Sequence, residues 1–223
     1  WSSDVCSSDL ALIPVPSARV AEIVLGGTID PWERLGLCFV GNSTVIGEVR
    51  VRCVPFLSAG IQSVGLSLAE VEQAHADHEH VEGACEHDHG PRPAMIDGAP
   101  VHFCDPVGTE SSIPSGVTAP PLGARSIDHV VLMTNDLHRT CSAAERATDA
   151  PLKRVREAPP VRQGFFRLGS VILEVVESPA VAHAGARWWG VVITVDNLPA
   201  VCDRLGSSVI SAPKAASRAR KRK

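Results

Sequence analysis

The sequence predicts an α+β fold built from repeated βαβββ modules, and two observations lead to that prediction. Strand-like and helix-like patterns follow one another in the order β-α-β-β-β over the second half of the chain. This pattern also restarts, because residues 128–137 align with residues 189–198 at an offset of 61. Residues 21–25 align with residues 128–132 at an offset of 107. Repeated units of this kind generally bury a shared surface together.

Length and composition are those of a globular protein. The 223 residues are 44% hydrophobic and 21% charged, which excludes wholesale disorder. No apolar run reaches the roughly 18–20 residues that a membrane helix needs. The net charge of −4 is uneven, because residues 70–90 hold seven acidic and no basic side chains while residues 214–223 hold six basic ones. The cysteines are scattered and form no Cys-x-x-Cys pair, which argues against a disulfide framework or a zinc ribbon. No secretory signal is evident, so we expect a reducing, cytoplasmic environment.

The chain divides into modules separated by polar segments. Residues 1–10 resemble a translated sequencing adapter and are left out of the fold prediction as a probable artefact. After them we predict a degenerate βαβββ module at 18–68, a His-rich acidic insertion and a Pro/Gly/Ser linker at 69–125, a βαβββ module at 126–178, the start of a further module at 188–209 and a basic tail at 210–223. The further module lacks three strands, which leaves a sheet edge exposed.

Local signals define the elements of the N-terminal module. Residues 20–25 predict a strand that ends at a Gly-Gly pair. Asp30 as N-cap and Pro31 at the first helical position predict a short helix. Residues 49–54 alternate apolar side chains with arginine, which indicates a strand with one apolar and one wet face. Residues 64–68 predict a further strand.

The signals are stronger in the C-terminal half. Residues 127–133 predict a strand, and Asn135 or Asp136 caps the helix that follows. The apolar face of this helix consists of Leu137, Cys141, Ala144 and Thr148. Further strands are predicted at 152–156, 164–168, 171–177 and 190–195, and Asn197 caps a last helix. This order reproduces one whole module and the beginning of the next.

Four stretches of this half resemble the vicinal oxygen chelate superfamily, which includes glyoxalase I, extradiol dioxygenases and the bleomycin-resistance proteins. They are residues 127–131, 162–169, 171–177 and 191–198. The resemblance is strongest over 126–206, weaker over 18–68, and closest to bacterial glyoxalase-like proteins of unassigned activity. It implies that paired modules form an open, barrel-like cleft, with the last module truncated in this chain.

The resemblance also implies a divalent metal, either Fe, Mn, Ni or Zn, held by the first and fourth strands of each module. The matching positions are His129 and Glu174, while the third falls on Gly190, which has no side chain. Glu22 aligns with His129 in the N-terminal copy and is a candidate third ligand. Such a metal polarises vicinal oxygens of a substrate, as in a lyase, an isomerase or a dioxygenase.

Two other functions stay open. The first is a metal-free binding module of the bleomycin-resistance kind, in which Phe165, Arg167 and Trp189 line a cleft for a small ligand. The second is metal handling by a His-rich segment. The alternative interpretation of that segment is a solvated acidic insertion. The histidines of that segment are His75, His78, His80, His87 and His89. As partners we expect a small molecule, with a homodimer left open, and neither nucleic acid nor a membrane.

Overall fold

The computed structural model describes residues 18–68, 95–106 and 123–214, which form two open β-sheets and three α-helices. The first sheet contains β1 (Ala18–Gly26), β2 (Ser43–Ile46), β3 (Val49–Val54), β4 (Gly60–Leu68), β5 (Met95–Ile96) and β6 (Ala99–Phe103), with α1 (Asp30–Leu35) between β1 and β2. The second contains β7 (Ala124–Thr134), β8 (Arg154–Ala158), β9 (Val161–Leu168), β10 (Val171–Glu177) and β11 (Arg187–Val195), with α2 (Leu137–Thr148) after β7 and α3 (Leu198–Leu205) after β11. The predicted α+β class is confirmed, and the sheets do not close into a barrel.

The second sheet contains one βαβββ module. Its strand order is β11-β7-β10-β9-β8, with β7 parallel to β10 and the later strands joined as antiparallel hairpins. Strand β11 pairs antiparallel with the free side of β7. Both helix caps form: the Asp136 carboxylate accepts from the Arg139 N–H at 2.9 Å, and the Asn197 side chain accepts from the Ala200 N–H at 3.0 Å.

Helix α2 covers one face of this module. The predicted apolar face of α2 is buried, and it packs against the buried side chains of β9 and β10. Removal of these apolar side chains from water supplies most of the local stability, because an isolated helix of this length is marginal in water. The buried residues of both sheets belong to one continuous core.

The first sheet has a different topology. Its order is β2-β3-β1-β4-β6-β5, with β1 parallel to β3 and β4 parallel to β6. Strands β1 and β4 are antiparallel neighbours at the centre. Each half of this sheet thus consists of one strand and a following hairpin. The second strand of the hairpin pairs parallel with that first strand. Residues 18–68 therefore comprise one three-stranded half and the first strand of the next half, whereas the sequence predicted one degenerate module.

A short hairpin lies inside the range that the sequence predicted as insertion and linker. Strands β5 and β6 pair through a turn at Asp97 and Gly98, whose φ angles are 50° and 94°. Successive positive φ angles suit a two-residue hairpin, for which Asp-Gly is a favoured sequence. The described residues 95–106 of this range are therefore part of the first sheet.

The hairpin turn joins the first sheet to α2 and β11. The Asp97 carboxylate accepts hydrogen bonds from Arg139 Nε at 2.8 Å and Thr140 Oγ1 at 2.5 Å, and its carbonyl accepts from the Ala186 N–H at 2.7 Å. Burial alone would raise the pKa of Asp97, but the bonds from Arg139 and Thr140 outweigh it and lower this pKa. The turn is thus an ionic and hydrogen-bonded link between the two sheets.

Several predicted features fall outside the described residues. These are the N-terminal ten residues, the insertion histidines His75, His78, His80, His87 and His89, and the tail from residue 215 onward. Among the helices of the described ranges, none has the length and apolar character to cross a membrane.

Candidate functional site

The second sheet turns one face to α2 and leaves the opposite face partly exposed. We call this opposite face the cleft face. It consists of His129, Val131 and Met133 on β7, Ile172, Glu174 and Val176 on β10, and Gln163, Phe165 and Arg167 on β9. Strand register sets His129 beside Ile172, and Glu174 between Val131 and Phe165. The predicted site residues of β7, β9 and β10 therefore share one face, because side chains alternate along each strand.

His129 has an incompletely satisfied imidazole. Its Nδ1 lies 2.5 Å from Asp128 Oδ2, so the pair meets the distance for an ion pair. The orientation does not make a hydrogen bond, however, and the buried Nδ1 has no hydrogen-bond partner among the described residues. Because Nδ1 is buried and Asp128 Oδ2 lies against it, this nitrogen faces the protein's own carboxylate rather than a ligand.

Glu174 already has a protein partner. Gln163 Nε2 donates to its Oε1 at 2.5 Å from the neighbouring strand. On the other side of β7, Gly190 lies opposite Val131 and brings no donor atom to the face. The third metal-ligand position implied by the resemblance is therefore bare, as the sequence predicted, and a side-chain amide is bound to the carboxylate.

A pocket of about 660 Å³ opens at one end of the cleft face. Met133, Arg187 and Trp189 line it, together with residues 180–183 and Trp188. Trp189 is an extra residue in β11, because Trp188 pairs with Leu132 and Gly190 with the adjacent Val131. Such bulges re-aim side chains near binding sites. Trp189 is 69% exposed as a result.

The two other predicted cleft residues lie on the same face as the pocket residue Met133. Phe165 is half-buried next to Glu174. Arg167 is exposed and its Nη1 donates to the Ser170 carbonyl at 3.0 Å, within its own turn. Phe165 thus supplies apolar surface to the cleft face but does not line the pocket, while the Arg167 guanidinium is partly engaged by backbone.

Glu22 lies on the first sheet in a separate polar cluster. Arg52 donates to its carboxylate from Nε at 3.2 Å and from Nη2 at 3.1 Å, and His102 Nε2 lies 3.0 Å from Oε2. Ser63 Oγ is 3.2 Å from the other ring nitrogen of His102. Arg50 Nη1 is 3.9 Å from the carboxylate. We call these five residues the Glu22 cluster.

Electrostatics keep the Glu22 carboxylate charged. Its side chain is only 8% exposed, and that burial alone would raise its pKa. The hydrogen bonds and positive charges of Arg52, and then those of His102, outweigh burial and lower the pKa of Glu22 below its ordinary value. Glu22 is therefore an ionised carboxylate whose acceptor sites are taken by protein donors.

A glycine makes the Glu22 cluster possible. Gly65 lies on β4, between Glu22 on β1 and His102 on β6, in register with both. A Cβ at this position would be 2.8 Å from Glu22 Cβ, 2.8 Å from His102 Nε2 and 2.9 Å from Cys104 Sγ. Only a glycine leaves room for two side chains to meet across the intervening strand.

The sequence predicted only some residues of the Glu22 cluster. The alternation at residues 49–54 predicted a wet face that carries Arg50 and Arg52. The sequence does not point to His102, because the predicted linker covers β6, although Asp97-Gly98 is a hairpin signal. The contact with Gly65 depends on register between strands distant in sequence, which no local pattern contains.

Comparison with solved structures places the fold. The chain resembles a mutant of 4-hydroxymandelate synthase from Streptomyces coelicolor with a TM-score of 0.56 at 14% identity, over 86% of this chain and 76% of that one. It resembles a halotolerant catechol dioxygenase, BphC, with a TM-score of 0.50 at 16% identity, over 84% and 74% of the two chains. A fusion protein of a xylose isomerase-like TIM barrel and 4-hydroxyphenylpyruvate dioxygenase matches with a TM-score of 0.54 at 13% identity, over 86% and 38%.

These likenesses show that the chain has the vicinal oxygen chelate fold. By sequence, neither a known protein family nor a curated protein matches it. At 13–16% identity the likeness extends to the fold alone. The function of the site must therefore be inferred from this chain's own side chains.

The side chains in the described part of the chain do not fit the metal that the resemblance implies. Within residues 18–68, 95–106 and 123–214, no three His, Cys, Asp or Glu side chains come together as a metal site. His129 and Glu174 lie on the second sheet, whereas Glu22 lies on the first and is bound to Arg52. A stable divalent site generally needs three or more protein donors. The three predicted ligands are thus not brought together.

Proposed function

We propose that this chain binds a small organic molecule on the cleft face of the second sheet, without a resident metal. The carrying observation is the pocket at Trp189. Its volume of about 660 Å³ falls within the range of small-molecule sites, roughly 300–1,000 Å³. Its lining combines aromatic and aliphatic surface with two groups that bind anions, Arg187 and His183. This favours a flat apolar ligand with a negatively charged substituent.

The test uses 8-anilinonaphthalene-1-sulfonate as probe, since it joins an aromatic body to an anionic group. Fluorescence titration should give saturable binding that EDTA does not change. Trp189→Ala should raise the probe's dissociation constant at least tenfold, because the mutation removes the exposed ring from the pocket wall. Phe56→Ala is the matched control, because Phe56 is 96% exposed and lies outside the pocket lining. Equal loss in both variants, or no loss in Trp189→Ala, would contradict the proposal.

Metal-dependent lyase, isomerase or dioxygenase activity is the second candidate. The observation that favours it is the position of His129, which shares the cleft face with Glu174. A neutral imidazole nitrogen is a common metal ligand. Metal content of the purified full chain should be compared with that of His129→Ala. Since the His-rich segment is present in both, the difference reports on His129. A full equivalent lost in the variant would favour this candidate over the metal-free one.

A further inference from the structure

The Glu22 cluster on the first sheet is a second concentration of functional groups, separate from the pocket. Its members come from β1, β3, β4 and β6, so every side chain is fixed by a strand. The side chains of Arg50, Arg52 and His102 are 36%, 36% and 35% exposed, while that of Glu22 is 8% exposed. The acid thus lies beneath the cations, and the outer surface of the cluster presents nitrogen donors.

The charges of the cluster do not balance. Two guanidinium groups lie against one carboxylate, so the arginines of the cluster bring one positive charge more than Glu22 balances. Arg52 uses two nitrogens on Glu22. Arg50 comes no closer than 3.9 Å and makes no hydrogen bond in the part of the chain that the structure describes. Among the described residues, no hydrogen-bond acceptor engages its fork of donors, and the side chain is 36% exposed.

Apart from Glu22, no acid in the described part of the chain forms an ion pair with Arg50. Glu48, two residues earlier, accepts a hydrogen bond from Ser170 at 3.0 Å. Asp105 is exposed, and its charge acts on Cys104, whose pKa is raised chiefly by burial and then by Glu22. The Arg50 guanidinium lies against the buried ion pair of Glu22 and Arg52. A guanidinium in this position is suited to bind a planar anion.

We propose that the first sheet binds a small carboxylate through Arg50, with Arg52 and His102 held beside it by Glu22. A singly charged carboxylate matches the single positive charge, and its two oxygens match the paired N–H groups of a guanidinium. The Glu22 carboxylate then acts as a positioning group. It replaces the metal-ligand role suggested by its alignment with His129.

NMR titration of the ¹⁵N-labelled full chain tests this proposal. Sodium acetate is the probe, acetamide its uncharged analogue, and sodium chloride keeps the ionic strength constant. Acetate should shift the amide signals of Arg50, Arg52 and His102 to saturation, whereas acetamide should not. Shifts that chloride alone reproduces, or shifts spread over unrelated surface arginines, would overturn the proposal.

Variants of Arg50 distinguish binding from nonspecific charge. Arg50→Gln should raise the dissociation constant of acetate at least tenfold, and Arg50→Lys should raise it severalfold, because an ammonium group lacks the forked donors. Arg154→Gln is the matched control, since Arg154 is an exposed strand residue on the second sheet. Superimposable spectra without acetate show that the variants are folded. Unchanged affinity in Arg50→Gln would refute the assignment.

Inorganic phosphate completes the test. If phosphate shifts the same amides and acetate does not, the carboxylate assignment is wrong. Retention of acetate binding in Trp189→Ala is also expected, because the pocket is a different site. Failure of the pocket proposal would therefore leave the Glu22 cluster result intact, and the two can be judged separately.

Discussion

Gly65→Ala is the sharpest perturbation of the Glu22 cluster. The added Cβ would lie 2.8 Å from both Glu22 Cβ and His102 Nε2, distances at which an atom must move. Losing the hydrogen bond between these side chains costs about 1.5–3 kcal/mol, because one partner is charged. Forced repacking adds about 1–3 kcal/mol, and the lower chain entropy of alanine returns about 0.5–1 kcal/mol. We therefore expect a net loss of about 3 kcal/mol in the free energy of unfolding.

Urea denaturation followed by circular dichroism measures this loss. With a slope of about 2–3 kcal/mol per M, the midpoint should fall by about 1–1.5 M. Gly190→Ala is the matched control, because Gly190 is also a strand glycine and no described atom lies within 4 Å of its added Cβ. The control should change stability by less than about 1 kcal/mol. Equal midpoints for the two variants would refute the reasoning about close approach at Gly65.

Two further predictions concern titration and thiol reactivity. Glu22 and Asp97 have lowered pKa values in the folded chain, so their stabilisation is complete above their unfolded pKa values and is lost as the pH falls through the folded ones. Urea midpoints measured from pH 7 to pH 3 should fall, and Asp97→Asn should flatten the fall; an unchanged profile would contradict the Asp97 assignment. Burial raises the pKa of Cys141 to about 11, so iodoacetamide at pH 8 should modify Cys202 well before Cys141. Mass spectrometry of modified peptides gives the rates, and equal rates would argue against that burial.

Local patterns in the sequence predicted the helices and strands of the second sheet. The cap at Asp136 and the face of α2 depend on residues three or four apart, which the sequence shows directly. Strand β10 was predicted with its observed bounds, because the Gly169-Ser170 pair precedes its apolar residues and Glu177 ends them. Alternation predicted which side chains share a face within β7 and within β10, whereas the common face of His129 and Glu174 depends on the register between these two strands.

The pairing of strands that are distant in sequence could not be predicted from local patterns. Strand β4 has the same local character whether it lies beside β3 or on the other side of β1, and only the whole sheet decides this. The bond from Gln163 to Glu174 and that from His102 to Glu22 depend on which strands become neighbours. The sequence therefore predicted Glu174 and Glu22 as candidate site residues but could not predict the side chains that bind them.

Strand β6 contacts both proposed sites. The carbonyl of Pro100 accepts a hydrogen bond from Trp188 Nε1 at 2.8 Å beside the pocket, and His102, two residues later, contacts Glu22. One strand therefore connects the wall of the pocket to the imidazole of the Glu22 cluster. If binding at one site changes affinity at the other, the change must be the same factor in both directions.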